Sequence, residues 1–188
     1  MLRILSTFLI SLLIVSNLYG KTYKEELETL TPQQYAVLMY SLETGKEHNL
    51  GYTLAAIAWK ESSFGKNKVN QNDGKHGSYG SHQILLTSAV GFLRENKIVN
   101  VDLKDKASKD ILIEYLTKDE EVSMRFALEE LKYWHKRHKG NYKKMVASYN
   151  AGNAGINSTA GEKYANDVAY RVKLLQEFIS NSYIASIK

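Results

Sequence analysis

Along most of the chain, apolar residues return every three or four positions and no stretch alternates convincingly with period two, so the spacing predicts an all-α fold. Thr31-Pro32 supplies an N-cap followed by proline at the first helical position. It opens a helix through Tyr35, Leu38, Met39 and Leu42 that stops near Gly45. A second helix is expected from about Tyr52 to Ser62, closed by Gly65. The polar stretch from Lys66 to Gly80 has no apolar periodicity and contains Asn72-Asp73-Gly74, which reads as a long loop. Thr87 reads as the cap of a helix through Val90, Phe92 and Leu93, and Asp105 or Ser108 as the start of one through Ile111, Leu112 and Tyr115. Thr117 to Glu120 has the form of a capping box and predicts the longest helix, reaching about His138 with Phe126, Leu128, Leu131 and Trp134 as apolar positions. A helix from Tyr142 to Asn150, broken in the turn Gly152 to Gly155, and one from Glu162 to about Ile179 complete the series. No internal repeat or linker interrupts it, so residues 21–188 read as one domain.

The first twenty residues stand apart. Arg3 precedes an apolar run from Ile4 to Val15, and a small residue, Gly20, precedes Lys21, the layout of a secretory signal peptide. Export to the periplasm or the outside is therefore expected, with an uncleaved anchor as the alternative. The chain of 188 residues is 44% hydrophobic and 24% charged, with a single proline, as in ordinary globular proteins. It has no cysteine, which excludes a disulfide framework, a thiolate zinc site and a cysteine nucleophile. The net charge of +5 is modest and spread along the chain. In an exported protein it suits anionic wall polymers better than nucleic acid, which is not expected as a partner. The densest basic stretch, Lys132 to Lys139, falls where a helix ends and there complements the helix dipole. His135 and His138 share a helix, but two ligands do not make a metal site. Neither metal nor cofactor is expected, since no phosphate-cradling loop or dinucleotide fingerprint occurs.

Glu61 breaks the pattern. Leu54, Ile57 and Ala58 mark the apolar stripe of the second helix, and the position seven residues after Leu54 is a glutamate. Desolvation there and the negative pole of its own helix both disfavour the charged form, so its pKa should be raised. A carboxylic acid kept neutral near pH 7 is what a general acid needs to protonate a glycosidic oxygen.

Three segments occur in order: Glu61-Ser62-Ser63-Phe64, Gly80-Ser81-His82-Gln83-Ile84 and Ala147-Ser148-Tyr149-Asn150-Ala151-Gly152. Together, over roughly Tyr52 to Leu175, they resemble the SLT-like lytic transglycosylase family of the lysozyme superfamily, which cleaves bacterial peptidoglycan. Tyr164-Ala165-Asn166-Asp167-Val168 is similar to a fourth, weaker family motif. The resemblance implies a lysozyme-like all-α domain, monomeric, whose partner is the peptidoglycan glycan strand, with a secretion or conjugation apparatus as an open further partner. It implies that Glu61 is the single catalytic acid/base, that Gln83 lines the cleft and binds substrate, and that the Tyr149 hydroxyl lies near the catalytic carboxyl. Asn150 is expected to hold the turn after its helix, and Ser78 to stand near a family serine that binds the sugar. Where the family has Leu-Met before its glutamine, this chain has Ser81-His82; His82 reads as a hydrogen-bonded residue of the cleft wall that touches substrate, with a titrating group beside the substrate as the alternative. Asp73 resembles in placement the second carboxylate of goose-type lysozymes, which leaves a hydrolase open. A groove that binds the wall without cutting it is the other alternative.

Overall fold

The computed structural model describes residues 22–186, with side chains to Ser182. The expected signal peptide lies outside them. Residues 22–30 belong to a unit of their own that carries the short helix α1, Tyr23–Glu28, started by a Thr22–Glu25 capping box. From Thr31 onward a second unit contains α2 (Pro32–Gly45), α3 (Gly51–Ser62), α4 (Leu86–Glu95), α5 (Lys106–Lys118), α6 (Glu120–Arg137), α7 (Tyr142–Gly155) and α8 (Thr159–Ser186). The fold is all-α, as the spacing predicts. No helix among the described residues is long and apolar enough to cross a membrane.

Helix α2 starts where the Thr31 hydroxyl accepts from the Gln34 backbone amide and the Gln34 side-chain oxygen accepts from the Thr31 backbone amide, with Pro32 inside the first turn. It crosses α3 at two glycines. A Cβ on Gly45 would stand 2.5 Å from the Gly51 nitrogen, and one on Gly51 2.4 Å from the Leu42 carbonyl oxygen, so only glycine permits this approach. The consequence is burial of α3 on nearly every side: Thr53 to Trp59 are all buried, with Leu54, Ala55, Ala56, Ile57 and Ala58 at 0% exposure. The stripe read from the sequence is only part of that surface. Such a helix is a rigid post, and Glu61 stands in its last turn.

Several expected boundaries move for identifiable reasons. Thr117 does not cap α6; its hydroxyl bonds back to the Ile113 carbonyl within α5, and Asp119 caps α6 through the Glu121 and Val122 amides. Thr87 lies inside α4, which begins at Leu86. The helix of residues 142–155 does break in the glycine-rich turn, at Ala151 and Gly152, but resumes one more turn. The longest helix is α8 rather than α6. The polar loop contains a small antiparallel sheet: β1 (Val69–Asn70) pairs with β2 (Ser78–Tyr79), and β2 with β3 (Ile84–Leu85). Strands of two residues leave no detectable alternation.

Candidate active site

The end of α3 is built to present Glu61. Ser63 and Phe64 both adopt left-handed conformations, φ 51° and 56°, followed by Gly65 at φ 81°, which reverses the chain immediately after the acid. Phe64 is driven inward and stacks on Trp59 with ring centroids 5.7 Å apart. Ser62 secures the turn: its hydroxyl donates to the Ser81 carbonyl at 2.6 Å and accepts from the Gly65 amide at 2.7 Å. From the other side, the Gln34 amide donates to the Ser63 carbonyl at 2.9 Å.

The Glu61 carboxyl is held above the ordinary carboxylate range, chiefly by burial. The Tyr164 hydroxyl donates to its Oε1 at 2.5 Å and pulls the other way, as do the Lys60 and, more weakly, Arg171 charges; the Asp73 charge adds to the rise. Tyr164 comes from α8, whose inner face carries Tyr164, Val168, Arg171 and Leu175, all buried. That face also brings Asp167, which accepts from Lys60 at 2.5 Å and from Arg171 at 3.4 Å. The Lys60 ammonium sits 5.0 Å from the Tyr164 ring centroid and the Arg171 guanidinium 4.6 Å from that of Trp59. The acid is therefore held by the Tyr164 phenol beside a compact charge cluster.

The hairpin between β2 and β3 approaches the end of α3. Gln83 sits in the hairpin turn at φ 50°, before α4 begins. Its side-chain oxygen accepts from Ser78 at 2.9 Å, and its NH₂ donates to the Gly80 and Asn67 carbonyls at 3.0 and 3.2 Å. The amide is thus fixed in orientation while partly exposed. Ser78 is fully buried, so it orients Gln83 and offers a sugar no surface, contrary to expectation. The same correction applies to His82. It is 0% exposed, its Nδ1 3.0 Å from Ser81 Oγ and its Nε2 3.5 Å from Ser41 Oγ. Burial pushes its pKa down to about 3, so it is a neutral core residue and not a titrating group beside substrate. The reason is the turn: Gly80 (φ 85°) lies so close to α5 and α6 that a Cβ would stand 2.4 Å from the Leu116 oxygen and from Ser123 Oγ, and this tucks Ser81 and His82 inward.

Tyr149 of α7 donates to the His82 carbonyl at 2.9 Å, clamping the hairpin to α7. Burial pushes its phenol far above the usual range, with further rises from the Glu130 and Glu61 charges. It lies within electrostatic reach of Glu61, but the hydrogen bond to the acid is made by Tyr164. Asn150 is exposed just ahead of the α7 kink. Asp73 lies in the β1–β2 connection, its carbonyl accepting from the Gly77 amide at 2.9 Å.

Glu130 was not anticipated from the sequence. It projects from the buried stripe Ala127, Leu131, Trp134 of α6, accepts from the Trp134 indole at 3.5 Å and is pushed by burial up to about 7. Tyr149 and Tyr164 each feel the charges of both Glu61 and Glu130, so both phenols lie within electrostatic reach of two carboxyls. The signal was available: like Glu61, Glu130 is an acid on an apolar helix face. His138 is engaged with Ser148 Oγ at 2.9 Å and stacked on Trp134, while His135 is exposed. Among the described residues, no group of three His, Cys, Asp or Glu is gathered as for a metal. A hollow of about 1680 Å³ bordered by Tyr40, Phe92, Ile98, Ile111 and Tyr115 does not include Glu61.

Residues 40–171 of this helical chain match the transglycosylase SLT domain, and the chain belongs to that family. A relative is found in Enterobacteria phage T4, the uncharacterized 20.7 kDa protein in the vs-regB intergenic region, 34% identical over 127 residues. The match covers 68% of this chain and 63% of the phage protein. No solved structure matches.

Proposed function

We propose that the protein is a peptidoglycan lytic transglycosylase that cleaves the β-1,4 bond between N-acetylmuramic acid and N-acetylglucosamine and leaves 1,6-anhydro ends. The observation that carries this reading is the Glu61 carboxyl, raised by burial and hydrogen-bonded by Tyr164. As the neutral acid, Glu61 protonates the leaving oxygen while the C1–O bond breaks. The resulting carboxylate takes the proton of the muramoyl C6 hydroxyl as that oxygen closes on C1, which regenerates the neutral acid. The nucleophile belongs to the substrate, so one carboxyl suffices and water is excluded rather than used. Tyr164 and the nearby cations steady the charge that Glu61 carries between the two proton transfers. Gln83, fixed by Ser78, presents its partly exposed amide edge to an N-acetyl group. The leader-like residues 1–20 support action in the periplasm or outside the cell.

Asp73 supports a second reading, because its charge reaches Glu61 and a carboxylate so placed can hold a water for inversion. Mass spectrometry of digested sacculi separates the two. Anhydro-muropeptides are expected, and Glu61→Gln should lower their release roughly 10²-fold or more. Reducing ends alone would establish a hydrolase. A Glu61→Gln protein that clears wall suspensions as fast as the parent would remove both readings.

A further inference from the structure

Around Glu61, charged and titratable groups act from several elements: Lys60 on its own helix, Asp73 from the β1–β2 connection, and Tyr164 and Arg171 from α8, while Tyr149 of α7 and Tyr164 also feel Glu130 of α6. Two of these, Lys60 and Arg171, are cations. Both charges favour the ionised form of Glu61 and so work against its holding a proton. The structure shows what restrains them. Asp167 Oδ2 lies 2.5 Å from the Lys60 ammonium and 3.4 Å from the Arg171 Nε, and all three groups are largely covered, with side chains at 25%, 23% and 10% exposure for Lys60, Asp167 and Arg171. Spacing dictates the arrangement: Tyr164, Asp167 and Arg171 recur at three and four residues on α8, so a single face delivers the phenol, the counter-charge and the guanidinium to the last turn of α3. Screening at such a site is weak, so the partition of these charges is felt by the acid.

We propose that Asp167 is a positioning residue for the general acid: it draws the Lys60 and Arg171 charges onto its own carboxylate and so leaves the Glu61 proton in place for transfer. This rests on the transglycosylase reading for its consequence in catalysis, but not for its electrostatics. Asp167→Asn keeps the shape and a hydrogen-bond acceptor while removing the counter-charge. The two cations then act more strongly on Glu61, and its titration moves to lower pH by roughly one pH unit. Lys60→Met acts in the opposite sense and moves it up, and the double variant returns toward the parent.

The test is a pH titration of the Glu61 side-chain carboxyl by ¹³C NMR in the folded protein, the resonance being assigned by its absence in Glu61→Gln, with the alkaline limb of the wall-clearing profile measured in parallel. Opposite shifts for Asp167→Asn and Lys60→Met, in both readouts, are the expected result; a role confined to holding α3 against α8 does not produce shifts of opposite sign. Unchanged Glu61 titration in folded Asp167→Asn overturns the proposal. Should that variant fail to fold, an unmoved titration in Lys60→Met overturns it equally. The NMR readout uses no wall substrate, so a protein that shows the shifts yet releases no anhydro-muropeptide refutes the functional reading while leaving the electrostatic one standing.

Discussion

Glu130→Gln offers a quantitative check on the buried acids of this site. In the folded chain Glu130 keeps its proton up to about pH 7, whereas in the unfolded chain it releases it near 4.5. Between those values the folded state binds more protons than the unfolded one, so stability falls as pH rises, and above pH 7 the whole penalty is present. At about 1.36 kcal/mol per pKa unit, this is at most about 3 kcal/mol. Glutamine keeps the acceptor for the Trp134 indole and a nearly identical shape but never ionises. The variant should match the parent at pH 4.5 and exceed it by up to about 3 kcal/mol at pH 8. Urea unfolding followed by far-ultraviolet circular dichroism at half-unit intervals of pH measures the difference, which should grow smoothly between the two values. A constant difference across that range, or a loss of stability at pH 8, would refute the view that Glu130 is a desolvated, protonated acid. If stabilisation is accompanied by slower wall cleavage, the strain of burying this second carboxyl serves the site.

His82 gives the mirror image. The unfolded imidazole takes a proton below about 6.5 and the folded one resists down to about 3, so stability is lost as pH falls, by about 3 kcal/mol at pH 4. His82→Gln should shift acid unfolding to lower pH while leaving the pH profile of activity in place; a displaced activity profile would return His82 to the cleft. Tyr164→Phe removes the hydrogen bond that lowers the Glu61 pKa, so the alkaline limb of activity should move to higher pH. The same change should cost about 1 kcal/mol of stability, read in a thermal melt. An unmoved limb would exclude the phenol as the partner of the acid.

What the sequence carried, and where it fell short, follows from the range of each interaction. The Thr31–Pro32 start, the end of α3 at Ser62 and the break after Asn150 are local: a cap, a left-handed turn and a glycine each act within a few residues, so they are legible in one strand of text. Thr117 bonds back within α5 and Asp119 caps α6 instead, whereas α4 starts at Leu86 directly from β3 with no side-chain cap at all, which places Thr87 inside it. Glu61 was visible as an acid on an apolar face. Glu130 obeys the same rule on α6, where the neighbouring acids Glu120, Glu121 and Glu129 mask it in the linear pattern.

The linear pattern of apolar residues settled the helical class, and the ordered motifs settled the family, since both are properties of residues a few positions apart or in fixed succession. Which groups face the acid was decided only in three dimensions. Tyr164 lies 103 positions from Glu61 and reaches it because α8 packs on α3, while His82, one residue from Gln83, is turned into the core by a glycine pressed against α5 and α6. Proton affinity follows burial and the nearest charges, and both depend on contacts between helices that are distant in the chain.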